Sequence, residues 1–162
     1  NGLVNVGISH ETAEFAVESI KQWWKNIGKR NYPKAKELLI CSDSGGSNAN
    51  RSRLWKFYLK KFANKTKLKI TVCHFPPGTS KWNKIEHKMF SFISMNWKGK
   101  PLRSYEMILN LIEGTKTKKG LRIKAKIDKN IYELKKKVSD EDFEKINLVR
   151  HKINPQWNYT IC

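Results

Sequence analysis

The chain has 162 residues, 39% of them hydrophobic, with 33 Lys and Arg against 14 Asp and Glu, a formal net charge of +19. The length suffices for one domain with a core, or one domain plus an extension, and the apolar content excludes a disordered tail. No run of about 20 apolar residues exists, so no helical membrane span is expected; the positive surplus calls for a polyanionic partner, most simply nucleic acid.

Gly2 to Ser9 alternates Leu3 or Val4, Val6 and Ile8, the pattern of a strand. Thr12 is placed to cap a helix in which Ala13, Ala16, Val17, Ile20, Trp23, Trp24 and Ile27 recur at helical spacing, with Gly28 as its stop. Leu38 to Ser42 is a short buried strand, and Ser44 to Asn48 a turn. Arg51 to Ala63 predicts a second amphipathic helix, with Leu54, Phe57, Tyr58 and Phe62 inward and Arg51, Arg53, Lys56, Lys60 and Lys61 mostly outward. Leu68 to Phe75 is the next strand, Pro76 to Ser80 a rigid loop, and Lys81 to Trp97 a third helix. Strand and helix alternate three times, which predicts an α/β fold with parallel pairing. Beyond Pro101 the character changes. Tyr105 to Ile112 is an apolar helix capped by Ser104. Leu121, Ile123, Ala125 and Ile127 then alternate with Arg122, Lys124 and Lys126, as in a half-buried strand with a basic face. Thr115 to Val138 holds ten Lys and Arg against two acids, Asp128 and Glu133, so it is either a solvated face or a phosphate-contacting arm. Ser139 with Asp142 resembles a capping box for a last short helix.

Cys41, Cys73 and Cys162 form no CxxC pair, so no zinc site is expected, and Cys41 and Cys73 read as reduced core thiols of a cytosolic protein. No signal peptide is visible. The strand-like start at Asn1 suggests a piece of a longer protein.

Two carboxylates draw attention. On a helical wheel counted from Trp82, Glu86 falls at about 40°, within the arc of Ile85, Met89, Phe90, Phe92 and Ile93, whereas Lys81, Lys84 and Lys88 fall at about 200–260°. Glu86 is therefore expected to face the body of the protein, where a carboxylate needs a partner, a proton or a metal. The alternatives are a helix-edge Glu caught by an Arg, or an arc that runs past the sheet edge. Asp43 follows a parallel-type strand at its C-terminal end, where ligands collect in open α/β sheets; a turn-forming or capping Asp is the alternative. A strand-end Asp and a sheet-facing Glu can share hard divalent cations, and two such ions about 4 Å apart promote phosphodiester transfer.

The stretches HFPPGTSKWNKIEHKMFSFISMNWKGKPL, CSDSGGSN, ETAEFAVESIKQWW and WNYTI resemble the Rhodopirellula-type DDE transposases of bacterial insertion sequences, a mariner-related family, over nearly the whole chain. The resemblance implies a ribonuclease-H-like α/β fold, N-terminally incomplete here, over residues 1–100, with a small α+β basic extension over 101–162. It implies a site that binds two Mg²⁺ or Mn²⁺ ions through three carboxylates. Asp43 matches the second and Glu86 the third, with Gly45, Gly46, Asn48 and Asn83 supporting them. The first Asp is expected on a strand upstream of Asn1. Transposon ends and target DNA are the implied partners, contacted by Arg51, Arg53, Lys81, Lys84, Lys118, Lys119, Arg122, Lys124 and Lys126. A homodimer on DNA, a cytoplasmic, nucleoid-associated location and a need for the upstream part of the protein follow from the same comparison. The alternative is a catalytically inactive nucleic-acid-binding remnant.

Overall fold

The computed structural model describes residues 1–76 and 78–162. In chain order the elements are β1 (Gly2–Gly7), α1 (Ala13–Trp23), a π-helical turn (Trp24–Gly28), α2 (Lys29–Asn31), β2 (Glu37–Ser42), a 3₁₀ turn (Gly46–Asn48), α3 (Arg53–Thr66), β3 (Lys69–His74) and a second 3₁₀ turn (Ser80–Trp82). They continue with α4 (Lys84–Trp97), α5 (Tyr105–Glu113), β4 (Ile123–Asp128), α6 (Asp140–Glu144), β5 (Leu148–Arg150) and β6 (Asn158–Ile161). The result is a mixed α/β chain that divides into two compact units.

The first unit comprises Asn1–Ser9 and Asn83–Ile131. Here β1 pairs parallel with β4, from Gly2 opposite Ile123 to Gly7 opposite Asp128. The alternation expected for β4 is realised. Ile123 is buried with Ile93 of α4 and Ile112 of α5, and Val4, Val6, Met89, Trp97, Ile108 and Ala125 pack around them. Arg122, Lys124 and Lys126 are exposed. Ser104 caps α5 by accepting from the Met107 N–H at 3.2 Å. Asp128 is the unit's buried acid; it accepts from the Asn5 amide at 3.2 Å and from the Asn130 N–H and amide at 3.0 and 2.7 Å, which ties the end of β4 to β1.

The second unit comprises His10–Trp82 and Tyr132–Cys162, and holds a four-stranded sheet in the order β2-β3-β6-β5. The β2–α3–β3 stretch is a parallel crossover unit, with Glu37 opposite Lys69 and Ser42 opposite His74. β6 then runs antiparallel to both β3 and β5. Parallel pairing was expected; the antiparallel β5 and β6 were not, because two strands of three and four residues carry too little periodicity to be recognised. One sheet face packs through Leu38, Ile40, Ile70, Val72, Tyr159 and Ile161 against α1 and α3, whose Val17, Trp55, Leu59 and Phe62 complete the core. Thr12 accepts from the Phe15 N–H and Ser139 from Asp142, the caps the sequence indicates; α3 starts at Arg53, not Arg51, and Ser52 caps it by accepting from Trp55.

Three expectations require correction. Gly28 does not end the first helix, which continues through the π turn to Asn31 with Gly28 itself helical. A Cβ on Gly28 would lie 2.5 Å from the Trp24 ring and 2.9 Å from the Trp23 ring, so glycine serves close packing there instead of a stop. Lys56 is not outward; it is only 4% exposed, beneath the segment that follows β2. Cys41 is exposed and Cys73 only partly buried, so they are not core thiols. Both lie on the sheet face opposite the core, in register with each other, and Leu39 on the same side is 61% exposed.

Candidate functional site

Asp43 stands where β2 ends and is half-buried. Its Oδ1 accepts from the Asn48 amide at 3.1 Å. Oδ2 has no hydrogen-bond partner among the described residues. The chain returns from Asp43 to Asn48 through a tight loop in which Gly46 has φ +55°, a conformation glycine adopts without strain. A Cβ on Gly45 would come 3.7 Å from Oδ2, an ordinary van der Waals contact. Nearby, Ser47 donates to Glu11 at 3.1 Å. Beneath Asp43 its main-chain oxygen meets His74 Nδ1 at 3.1 Å. Burial, outweighing the upward pull of that main-chain contact, lowers the His74 pKa from its ordinary value.

Glu86 lies in the first turn of α4, where a negative charge suits the helix dipole. Its Oε2 accepts from the Asn83 amide at 2.5 Å, one residue before the helix begins. Glu86 is exposed, contrary to the inward placement expected from the wheel. The wheel direction itself holds further along, where Met89, Ile93 and Trp97 enter the core of the first unit. The first turn of α4 runs beyond that packed face, so Ile85 is 84% exposed and Glu86 shares its fate. The Pro-Pro-Gly loop that leads to this helix includes Pro77, which lies outside the described residues.

Asp43, Gly45, Gly46, Asn48, Arg51, Arg53 and Lys81 belong to the second unit, and Asn83, Lys84, Glu86, Lys118, Lys119, Arg122, Lys124 and Lys126 to the first. Among the expected DNA-contacting residues Arg53 is engaged: it pairs with Asp140 at 2.6 Å and stacks on Phe143 at 4.4 Å, docking α6 on α3. Arg51, Lys81, Lys84, Lys118, Lys119, Arg122, Lys124 and Lys126 are exposed. Sequence reasoning did not single out His74, and it placed Lys56 outward. The signal for His74 was present: it continues the every-second-residue series Ile70 and Val72 on the buried side of β3.

A carboxylate just after a parallel strand, followed by a glycine-rich return, stands where ligands collect in open α/β sheets. The chain belongs to the family of Rhodopirellula transposase DDE domains, whose model matches residues 1–162, the whole chain. No curated protein and no solved structure matches it. DDE transposases generally use divalent metal ions. The donors suit such ions: Asp43 and Glu86 offer hard carboxylate oxygens, and in each an Asn amide engages one oxygen. Among the described residues no group of three His, Cys, Asp or Glu side chains comes together.

Proposed function

We propose that this chain works within the catalytic domain of a DNA transposase of ribonuclease-H-like fold, hydrolysing a phosphodiester at the element's end and joining the freed 3′-hydroxyl to target DNA. Asp43 and Glu86, within residues 1–100, carry the chemistry, and residues 101–162 add the basic β4 face and, through β5 and β6, complete the sheet behind Asp43. The observation that carries the reading is Asp43. It follows the parallel strand β2, its Oδ1 is fixed by Asn48, and its Oδ2 has no hydrogen-bond partner among the described residues. Asp43 and Glu86 would hold Mg²⁺ or Mn²⁺ together with a further carboxylate. When bound, the ions supply nucleophile activation and charge stabilisation of the leaving oxygen. The chain's own part is to present two carboxylates with fixed orientation, through Asn48 and Asn83, and to hold the phosphate backbone electrostatically. DNA at the element's ends and at the target is the partner, a homodimer on DNA the working form, and the nucleoid the place of action.

The test is cleavage of element-end DNA by the intact protein in Mg²⁺, with and without chelator. Glu86→Gln is expected to slow cleavage at least ten-fold with unchanged DNA affinity; cleavage at the wild-type rate would remove Glu86 from the site.

The second reading, a DNA-binding remnant without chemistry, is favoured by the charge of +19 alone. Both readings place phosphates on the β4 face. Replacing Arg122, Lys124 and Lys126 with Gln is expected to reduce the slope of log affinity against log salt by about 0.9 for each phosphate no longer neutralised. An unchanged slope would show that these cations only solvate the surface.

A further inference from the structure

Behind Asp43 lies a group of buried polar side chains that ordinary core packing does not require. Trp55 of α3, His74 at the end of β3 and Tyr159 of β6 are all buried, and Lys56 lies beside them. Trp55 Nε1 is 2.9 Å from the Tyr159 hydroxyl, Tyr159 is 3.0 Å from His74 Nε2, and His74 Nδ1 is 3.1 Å from the Asp43 main-chain oxygen.

We infer that Trp55, Tyr159 and His74 form a one-directional hydrogen-bond chain that positions Asp43, with Lys56 anchoring the far end of the same loop; the inference rests on the reading of Asp43 as a metal ligand. The direction follows from the chemistry at the two ends. An indole N–H can only donate, so the Tyr159 oxygen accepts from Trp55. A main-chain carbonyl can only accept, so His74 Nδ1 carries the proton and donates to Asp43. Nε2 is then the acceptor, and it takes the Tyr159 hydroxyl proton. Every group is matched in this arrangement. The reversed His74 tautomer would leave Nδ1 facing the carbonyl without a proton. Ser42 Oγ, 3.2 Å from Nδ1, takes a branch of the same bond.

Lys56 holds the other end of the segment. Its Nζ donates to the Asn50 main-chain oxygen at 2.5 Å and sits 5.3 Å over the Tyr159 ring. Among the described residues it has no carboxylate partner. Burial, helped by Arg150, lowers its pKa to about 8. A buried, unpaired cation is costly. Its position explains why it is there. The loop from Asp43 to Asn50 is gripped at its start by His74 and at its end by Lys56, both drawn from one buried cluster that includes β6.

Groups that orient a ligating carboxylate without touching the metal typically change metal affinity or activity by about 10–100-fold when removed. Tyr159→Phe keeps the ring and removes only the hydroxyl. In the intact protein it is expected to lower kcat for Mg²⁺-dependent cleavage by about ten-fold or more, to raise the MgCl₂ concentration needed for half-maximal rate, and to leave KM for DNA unchanged. A defect of folding alone would lower the active fraction without moving the MgCl₂ midpoint. Nitrogen-resolved NMR of the wild-type protein supplies a measurement that needs no variant: His74 is expected with its proton on Nδ1. A proton on Nε2, or a Tyr159→Phe protein with wild-type kcat and MgCl₂ midpoint beside an inactive Asp43→Asn, overturns the inference and spares the reading of Asp43. An Asp43→Asn protein that cleaves normally overturns both.

Discussion

Asp43→Asn is expected to abolish Mg²⁺-dependent strand cleavage, by about a thousand-fold or more, while DNA affinity and thermal stability stay near wild type. The substitution is nearly isosteric. The Asn48 amide loses the charge on its acceptor but keeps an oxygen at 3.1 Å, and the His74 contact, which is to the main chain, is untouched. What changes is Oδ2, which loses its charge and becomes an amide unsuited to a hard cation. The loss should persist at saturating DNA and fall on kcat. Residual activity within ten-fold of wild type would mean that Asp43 only shapes the turn after β2, as strand-end Asp residues often do.

Trp55→Ala is expected to destabilise the second unit by about 3–5 kcal/mol, a large part of what a domain of this size possesses. Trp55 is 1% exposed and sits in the core with Val17, Leu59 and Phe62. Its removal leaves a cavity and deprives the buried Tyr159 oxygen of its donor. Urea unfolding of the variant measures the loss. Trp82→Ala is the control, since Trp82 is 55% exposed and should change stability little. A Trp55→Ala loss below about 1 kcal/mol would show that this core collapses around the gap.

The elements bearing the candidate site were legible because their signals are local. β4 announces itself by two-residue alternation, β2 by a short apolar run, α1 and α5 by helical spacing and a Thr or Ser cap, α3 by helical spacing, and the turn after Asp43 by paired glycines. Features that depend on non-local pairing were not. β6 has four residues, and only β3 and β5 on either side make it a strand. The open face of the second sheet, with Leu39 and Cys41, was read as buried because parallel strands are normally covered on both sides. Lys56 was read as outward because a lysine on an amphipathic helix usually is; only the carbonyl of Asn50 above it explains why this one is not. The family of the chain was legible for a different reason: the run from His74 to Trp97 and the motif around Asp43 are specific, and the family match over residues 1–162 agrees. Glu86 shows the limit of a helical wheel, which gives direction but not where the neighbouring surface stops.

The place of β6 in the sheet also bears on when the protein matures. Tyr159 is synthesised more than a hundred residues after Asp43, and at about 5–20 residues per second the ribosome needs many seconds to reach it. Throughout that interval a nascent chain already carries Asp43 and then Glu86, but not the strand that locks the loop behind Asp43. On the proposed reading of Asp43, a product arrested before β6 would have the carboxylates without the buried Tyr159 behind them.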